Sequence, residues 1–412
     1  MLDKNGTRQL AYVVTIDNIT PIPGYDRVEL AHVKGWTIVV GKGEFKAGDP
    51  AIYFEIDSQL PEKEPFINME FLVKKKFRIK TQKMCKSISQ GLLMSAKNFG
   101  WTIESAQFAG GLAYIKDNEG KSYFPDDKET MFLTKKLGVT YYVSEDNVRK
   151  ADSMDKYKRM TQRHRKLFSK KPFCWLMKRE WGRKFLFVFF GKKRDKKNNW
   201  PAWVKKTDEE RIQNMPYILQ DKGRWVATEK IDGTSTTFTM KRGKGFRKPE
   251  FYVCSRNVVF DKPDKKCFYE TNVYTEMAEK YDMENVLKKL LDRFPEAEWV
   301  TIQGETYGEG IQKRDYSIKG HDFAAFNLIF SHLGRIDTVS MKKILEDDYN
   351  IPCVPIVDKV FYLPDTIEEL LEYATGLSCL DGKMREGIVF RYGDGSKSFK
   401  AVSNEFLIMY HQ

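Results

Sequence analysis

The sequence predicts an α+β protein with a small N-terminal β-barrel in residues 1–145 and a larger C-terminal domain of antiparallel sheets in residues 201–412. Short β-rich runs separated by turn residues fill the first part. Strands alternate with amphipathic helical runs and surround one cleft in the last part. Residues 146–200 form a basic, aromatic-rich connecting segment between the two.

The N-terminal module has the strand-and-turn rhythm of an OB barrel. Its four β-rich runs are separated by turns that contain proline, glycine and lysine, and they are residues 10–15, 28–33, 36–40 and 51–54. Barrels of this type often bind nucleic acid through a basic groove and exposed aromatic rings. The basic stretch 74–80 suits a surface that follows phosphates, and a solvated hairpin is an equal alternative.

Helical apolar spacing in the C-terminal domain predicts one helix over 274–294 and another over 367–373, with Asp365 and Thr366 as capping candidates. Strands that carry polar residues at or near their ends are predicted at residues 299–303, 323–329, 387–392 and 397–402. Because these ends can meet in one cleft, we expect a site there.

Positive charge is concentrated in one part of the chain. The net charge is +13, but residues 149–206 contain 21 Lys and Arg against 4 Asp and Glu, a local net of +17. Such a segment attracts a polyanion through phosphate contacts, or it is a solvated linker. Its aromatic residues, which include Trp175, Trp181 and the run 185–190, either stack on unpaired bases or form a small satellite core. We favour the satellite core.

Length and composition limit the class of protein. The 412 residues suffice for two or three domains, and 41% hydrophobic with 31% charged residues is typical of a soluble globular protein. No secretory signal is visible, and the longest apolar run is too short to span a bilayer. Six cysteines without C-x-x-C spacing and five unclustered histidines predict free thiols rather than zinc. We expect an intracellular, cytoplasmic monomer that does not bind membranes, with a nuclear or viral origin left open.

The stretch 227–235 carries the strongest chemical signal. Lys230 follows an apolar, strand-like approach and precedes Asp232, Gly233 and a β-branched run over 234–239. Strand, tight turn, strand is the natural interpretation. A lysine at a strand end beside a carboxylate can act as a nucleophile once it loses its proton. The alternative is an ordinary hairpin with a solvated lysine.

Five further segments follow in a fixed order: Cys254-Ser255-Arg256-Asn257, Gln303-Gly304-Glu305-Thr306-Tyr307-Gly308, Phe323-Ala324-Ala325-Phe326-Asn327, Arg385-Glu386-Gly387-Ile388-Val389-Phe390 and Ser398-Phe399-Lys400. In this order and at these spacings, the chain resembles the covalent nucleotidyltransferases, which are ATP-dependent DNA and RNA ligases and capping enzymes. Residues 229–234, with residues 254–257 about two dozen positions later, resemble the nick-sealing RNA ligases. The preceding residues 206–214 resemble the Deinococcus-type RNA ligases, which carry an OB module before the catalytic domain. The resemblance is weak over 1–145 and strong over 200–412.

This resemblance implies an ATP-dependent RNA ligase that works in RNA repair. Lys230 would attack the α-phosphorus of ATP, form lysyl-AMP and pass AMP to an RNA 5′-phosphate, after which a 3′-hydroxyl would displace AMP. The expected partner is a nicked duplex with RNA at the 3′-OH side. Since an unperturbed lysine has a pKa of about 10.4, a divalent cation and neighbouring lysines would favour the free amine.

The same resemblance implies roles for individual residues. Asp232, Glu305 and Glu386 would hold a hydrated Mg²⁺ or Mn²⁺, and Glu305 would also lie near the ribose. The expected contacts with ATP or the RNA strand are Lys400 at the AMP phosphate, Glu229 at the adenine N6 amine, Phe326 on the adenine face, Arg256 and Asn257 at the ribose or incoming strand, and Lys205 and Lys206 at the β- and γ-phosphates.

The last motif departs from the usual Lys-x-Lys pattern, since Ser398 stands at the first lysine and Lys397 lies one residue earlier. One phosphate contact therefore stays open. A DNA ligase or a capping guanylyltransferase is the nearest alternative, although capping enzymes carry the OB module after the catalytic core. A non-catalytic RNA-binding protein is the alternative from another class, and the intact lysines and carboxylates argue against it.

Overall fold

The structure is a computed structural model, and it describes residues 1–106, 112–142, 171–177, 179, 181–182, 186, 190, 200–206, 208–243, 248–260 and 271–410. The chain divides into two compact units, residues 1–141 with 200–412 and residues 142–199. The predicted α+β class, with helices beside antiparallel sheets, is confirmed. Every helix within the described ranges is too short or too polar to span a membrane.

The N-terminal module is built from short antiparallel strands. They are β1 Ala11–Thr15, β2 Asn18–Ile22, β3 Tyr25–Val33, β4 Trp36–Gly41, β5 Pro50–Phe54, β6 Ser58–Gln59, β7 Thr81–Met84, β8 Ser87–Gln90, β9 Leu92–Met94, β10 Thr102–Ala106, β11 Leu112–Lys116, β12 Ser122–Tyr123 and β13 Thr140–Tyr141. The helices are α1 Glu70–Lys74 and α2 Thr134–Leu137, with 3₁₀ turns at Phe66–Asn68 and Ala96–Phe99. All four predicted strand regions are confirmed, within the sheets β1-β5-β9 and β2-β3-β4.

Strand β5 organises the core of this module because both of its faces are buried. Ile52 and Phe54 pack into one apolar cluster, whereas Ala51 and Tyr53 pack into a second one. The alternation of side chains along a strand therefore places β5 between two cores.

The second unit contains α3 Lys171–Met177. Phe173, Leu176 and Phe190 pack around the buried Leu186, so the satellite-core interpretation holds for these side chains and is wrong for Trp175 and Trp181. Trp175 and Trp181 remain 51% and 57% exposed, and the guanidinium of Arg179 lies 3.6 Å from the centre of the Trp175 ring. Most of the basic segment 146–200 lies outside the described residues.

Two antiparallel sheets form the C-terminal domain, in the orders β21-β14-β22-β23 and β17-β16-β15-β18-β19-β20. The strands are β14 Trp225–Lys230, β15 Thr234–Lys241, β16 Glu250–Ser255, β17 Val259–Phe260, β18 Trp299–Gly308, β19 His321–Phe330, β20 Gly334–Arg335, β21 Ile356–Phe361, β22 Gly387–Tyr392 and β23 Ser398–Val402. The helices are α4 Val273–Lys280, α5 Met283–Arg293, α6 Thr338–Lys342, α7 Ile367–Ala374 and α8 Asn404–Tyr410, with 3₁₀ turns at Ile212–Asn214 and Pro216–Gln220 and a π turn at Lys343–Asp347.

Strands β14 and β15 do not pair with each other, so the hairpin implied by strand, tight turn, strand is wrong. Strand β14 pairs with β21 and β22, whereas β15 pairs with β16 and β18 in the other sheet. The chain crosses between the sheets at residues 231–233. The side chain of Ile231 is buried with Tyr307, Tyr316 and Val354 in an apolar cluster. Burying that side chain outweighs the local preference of the Asp-Gly sequence for a hairpin turn.

The single helix predicted over 274–294 is also wrong, because α4 and α5 are separate. Asp282 has a φ of 47°, which is left-handed and interrupts the helical backbone, and Asn285 donates to its carboxylate at 3.1 Å. The apolar faces of both helices still pack on the six-stranded sheet. Helix α7 begins as predicted, with Thr366 and Glu369 forming a capping box.

Some of the contacts between the OB module and the C-terminal domain lie near β23. Ile88 of β8 packs against Val402 and Leu407, and the Arg211 guanidinium lies 5.8 Å from the centre of the Trp36 ring. Residue Val402 lies two positions after Lys400 on the same strand. The N-terminal module therefore supports the strand that carries a predicted site residue.

Candidate active site

A pocket of about 320 Å³ lies between the two sheets of the C-terminal domain. The four-stranded sheet contributes Thr228, Glu229, Lys230, Val389, Arg391 and Lys400 to its walls. The six-stranded sheet and its loops contribute Thr234, Ser235, Arg256, Glu305 and Phe326. The structure thus brings together predicted residues that are far apart in the sequence.

Lys230 ends β14 and makes an ion pair in this pocket. Its Nζ donates to Oε2 of Glu386 at 2.6 Å, because Lys230 lies opposite Gly387 in the ladder between β14 and β22. Burial lowers the pKa of Lys230, but Glu386, Glu305 and Asp232 together outweigh burial and raise it. These carboxylates by themselves keep Lys230 in its protonated, ammonium form.

The three predicted metal-binding carboxylates lie close enough to repel one another. Burial, with a contribution from Glu386, raises the pKa of Asp232 to about 7. Burial also raises the pKa of Glu305 to about 8, although Lys230 opposes this change. A divalent cation would neutralise this excess negative charge. Within the described ranges, no three Asp, Glu, His or Cys side chains are arranged to ligate a metal directly.

Two side chains from the loop after β18 hold the crossing at residues 231–233. The backbone N–H of Asp232 donates to the Tyr316 hydroxyl at 2.6 Å, and Nε2 of Gln312 donates to the carbonyl of Gly233 at 2.9 Å. Tyr316 and Gln312 both have a φ of 54°, a left-handed conformation that is strained for residues other than glycine. Sequence reasoning missed both residues, and no local motif marks them.

Lys400 lies in the pocket wall, with its Nζ 3.6 Å from Asp208. Burial and the neighbouring Lys230 lower its pKa. Ser398, which stands at the first lysine of the motif, donates to Glu209 at 2.5 Å. Lys397 pairs with Asp221 and does not line the pocket.

Arg391 is a cation in this wall that sequence reasoning missed. It lies directly opposite Ser398 in the ladder between β22 and β23 and is 4% exposed. Its guanidinium donates to the Thr228 hydroxyl at 2.9 Å and lies 5.8 Å from the centre of the Phe326 ring. Ser398, which stands where the motif usually has its first lysine, is therefore next to a buried arginine.

The remaining candidates are divided between the pocket and its rim. Arg256 lines the pocket and forms an ion pair with Asp208. Asn257 lies outside the lining residues and accepts a hydrogen bond from Lys206 at 2.6 Å. The Lys205 carbonyl accepts from Gln303, and neither Lys205 nor Lys206 lines the pocket.

Comparison with known families identifies the two parts of the chain. An OB-fold domain model matches residues 10–96, and an RNA ligase model matches residues 223–402. The chain is an RNA ligase enzyme with an N-terminal OB-fold domain. Among curated protein sequences, none matches it.

Solved structures extend the likeness of this RNA ligase over almost its whole length. A lysine-to-alanine mutant of Naegleria gruberi RNA ligase with ATP and Mn is 28% identical, with a TM-score of 0.60 over 97% of this chain and 98% of that one. The Naegleria gruberi RNA ligase with PPi gives the same identity and TM-score over 98% and 99% of the two chains. A glutamate-to-alanine mutant with AMP and Mn matches equally well over 97% and 98%.

Proposed function

We propose that this RNA ligase is ATP-dependent and seals 3′-OH/5′-phosphate nicks in RNA through a lysyl-AMP intermediate, as a Deinococcus-type repair enzyme. The observation that carries the proposal is the pocket that brings Lys230, Glu305 and Lys400 together, with Glu386 paired to Lys230 and Asp232 near enough to act on its charge. The matched Naegleria gruberi structures, which hold ATP or AMP with Mn, support ATP as the nucleotide and Mg²⁺ or Mn²⁺ as the cation.

Lys230 is the proposed nucleophile. Its Nζ forms a bond to the α-phosphorus of ATP, the bond from that phosphorus to the bridging oxygen breaks, and pyrophosphate leaves. The amine attacks only after the ammonium loses a proton, and the Glu386 carboxylate, which already accepts a hydrogen bond from Nζ, would take that proton. When bound near Asp232, Glu305 and Glu386, a hydrated cation supplies positive charge. That charge opposes the rise in the pKa of Lys230 that the carboxylates cause, and it neutralises the phosphates.

The other pocket residues would place the nucleotide. Phe326 would stack on adenine, Glu229 would accept a hydrogen bond from its N6 amine, and Lys400 would contact the AMP phosphate. Arg256 and Asn257 would contact the ribose or the incoming strand, and Lys205 and Lys206 would reach the β- and γ-phosphates from the rim. AMP then passes to the RNA 5′-phosphate, and the 3′-hydroxyl displaces it.

RNA engagement is assigned to the OB module, residues 1–145, and to the basic segment 146–200, ahead of the ligase domain at 201–412. The module carries the basic stretch 74–80, which leads from α1 to the hairpin of β7 and β8. The segment carries two exposed tryptophans with an arginine against one of them, which suits stacking on unpaired bases. We expect a cytoplasmic monomer on a nicked duplex with RNA at the 3′-OH side.

Transfer of AMP to Lys230 is the test of this function. The wild-type protein incubated with ATP and Mn²⁺ should gain the mass of AMP on a peptide that contains Lys230. Lys230→Ala should abolish the adduct, and Lys222→Ala, which changes an exposed lysine paired with Asp365, should keep it. An undiminished adduct in Lys230→Ala overturns the proposal.

A further inference from the structure

The loop at residues 376–385, between α7 and β22, lies against the proposed base site. We propose that this loop sets the base specificity of the ligase by fixing the Glu229 carboxylate as an acceptor for a purine 6-amino group. Ser378 is the positioning residue, and the favoured substrates are 6-amino purine nucleotides rather than 6-oxo purine nucleotides. This inference rests on the proposed function.

The contacts of the carboxylate carry the proposal. Glu229 is 1% exposed and lines the pocket. The Ser378 hydroxyl donates to its Oε1, and the backbone N–H of Cys379 donates to its Oε2 at 2.7 Å. Each carboxylate oxygen is therefore held by one donor from the loop, so the plane of the carboxylate is fixed before any nucleotide binds.

The loop that presents these donors is held at several points. Within it, Ser378 donates from its backbone to the Lys383 carbonyl at 2.6 Å, and Gly382 donates to the Ser378 carbonyl at 3.0 Å. The Arg385 guanidinium donates to two carbonyls at the end of α7. Arg314, only 3% exposed, forms an ion pair with Asp381. A loop tied in this way can hold one carboxylate orientation.

The chemistry of a fixed carboxylate separates the two classes of purine. A carboxylate accepts hydrogen bonds and has none to donate, so it pairs with the amine at position 6 of adenine. The 6-oxo group of hypoxanthine or guanine would place an acceptor against an acceptor in a buried site and leave both unpaired. Stacking on Phe326 does not separate these bases, because every purine has an aromatic face. Discrimination therefore depends on Glu229 and on the hydroxyl that orients it.

Adenylation with ATP and inosination with ITP, which differ at position 6, test the inference. The measurement is the rate of nucleotide-adduct formation at increasing nucleotide concentration for wild type, Ser378→Ala and Ser378→Thr. We expect Ser378→Ala to raise KM for ATP with little change in kcat, and to lower the ATP:ITP ratio of kcat/KM by about tenfold. Ser378→Thr keeps a hydroxyl and should restore the ratio.

A second variant covers the case in which Ser378→Ala fails to fold. Glu229→Gln places an amide N–H where it can donate to a 6-oxo group, so its preference should shift towards ITP. Equal losses for ATP and ITP in Ser378→Ala, or an unshifted preference in Glu229→Gln, overturn the inference. A wild type that forms the AMP adduct without preferring ATP to ITP also overturns it but leaves the proposed function intact. Absence of any adduct in wild type refutes the proposed function, and calorimetric binding of ATP against ITP then decides the specificity by itself.

Discussion

A single methyl group added at Gly233 should slow catalysis and still allow the enzyme to fold. An added Cβ would lie 2.4 Å from the Thr306 carbonyl oxygen and 2.8 Å from Cγ of Glu305. Real Cβ atoms essentially never approach closer than 3.0 Å, so the crossing must move by at least the difference between 2.4 and 3.0 Å. Both neighbours belong to β18, and the movement therefore carries Lys230 and Asp232 away from Glu305.

The size of that movement sets the expected effect of Gly233→Ala. Because a misplacement of about 1 Å can cost a hundredfold in rate, we expect lysine adenylation to slow by about 10- to 100-fold. The added methyl should lower the free energy of unfolding by only about 1–3 kcal/mol, as for other overpacked sites. The folded enzyme should thus persist while its chemistry slows.

A rapid-quench assay with labelled ATP measures the adenylation rate, and urea unfolding followed by circular dichroism measures the stability. Gly393→Ala is the matched control, because its nearest added contact is the Arg224 carbonyl at an ordinary 3.6 Å and its backbone is not left-handed. The control should adenylate at the wild-type rate. A Gly233→Ala enzyme that folds and also adenylates at the wild-type rate would refute the reasoning about the crossing.

The remaining predictions concern the cation, the RNA and its end. Replacing Asp232, Glu305 or Glu386 by Ala should each slow adenylation or sealing by at least about a hundredfold; near-normal rates of all three variants in a nick-sealing assay would contradict the carboxylate assignment. RNA binding measured by filter retention should weaken steeply as salt rises, because phosphate contacts release counterions; a flat profile would count against the basic segment and the OB module as the RNA-binding parts. Duplexes that differ only in ribose or deoxyribose at the 3′-OH end should seal at different rates, since the 2′-hydroxyl can be read as donor and acceptor; equal rates would favour a DNA ligase.

Structural features that depend on residues close together in the chain could be predicted from the sequence. The capping box of Thr366 and Glu369 depends only on residues of its own helix. The segment around Lys230 is recognisable from its own short motif. Glu305, Glu386 and Lys400 could be placed because a resemblance to a known family covers their motifs. Their presence around Lys230 in the structure agrees with those expectations, and their chemical roles stay predictions.

What the sequence could not show depends on contacts between distant segments. Ile231 directs the chain into the other sheet because it is buried with residues about 80 to 120 positions away, which no local pattern reveals. Tyr316 and Ser378 likewise contact the site through single hydrogen bonds across long separations. The left-handed Asp282 interrupts a helix whose apolar spacing continues without a break. In each case tertiary packing overrides the local signal.

The crossing at residues 231–233 makes the activity of the enzyme sensitive to the position of one sheet relative to the other. The lysine belongs to one sheet and Glu305 belongs to the other, and Ile231, in the segment that joins the sheets, is buried in a small apolar cluster with Tyr316. Each sheet keeps its own hydrogen bonds if that cluster loosens, whereas the distance from the lysine to Glu305 changes at once. Gentle heating should therefore abolish the activity while the circular dichroism spectrum stays that of the native protein. Cooling should restore the activity.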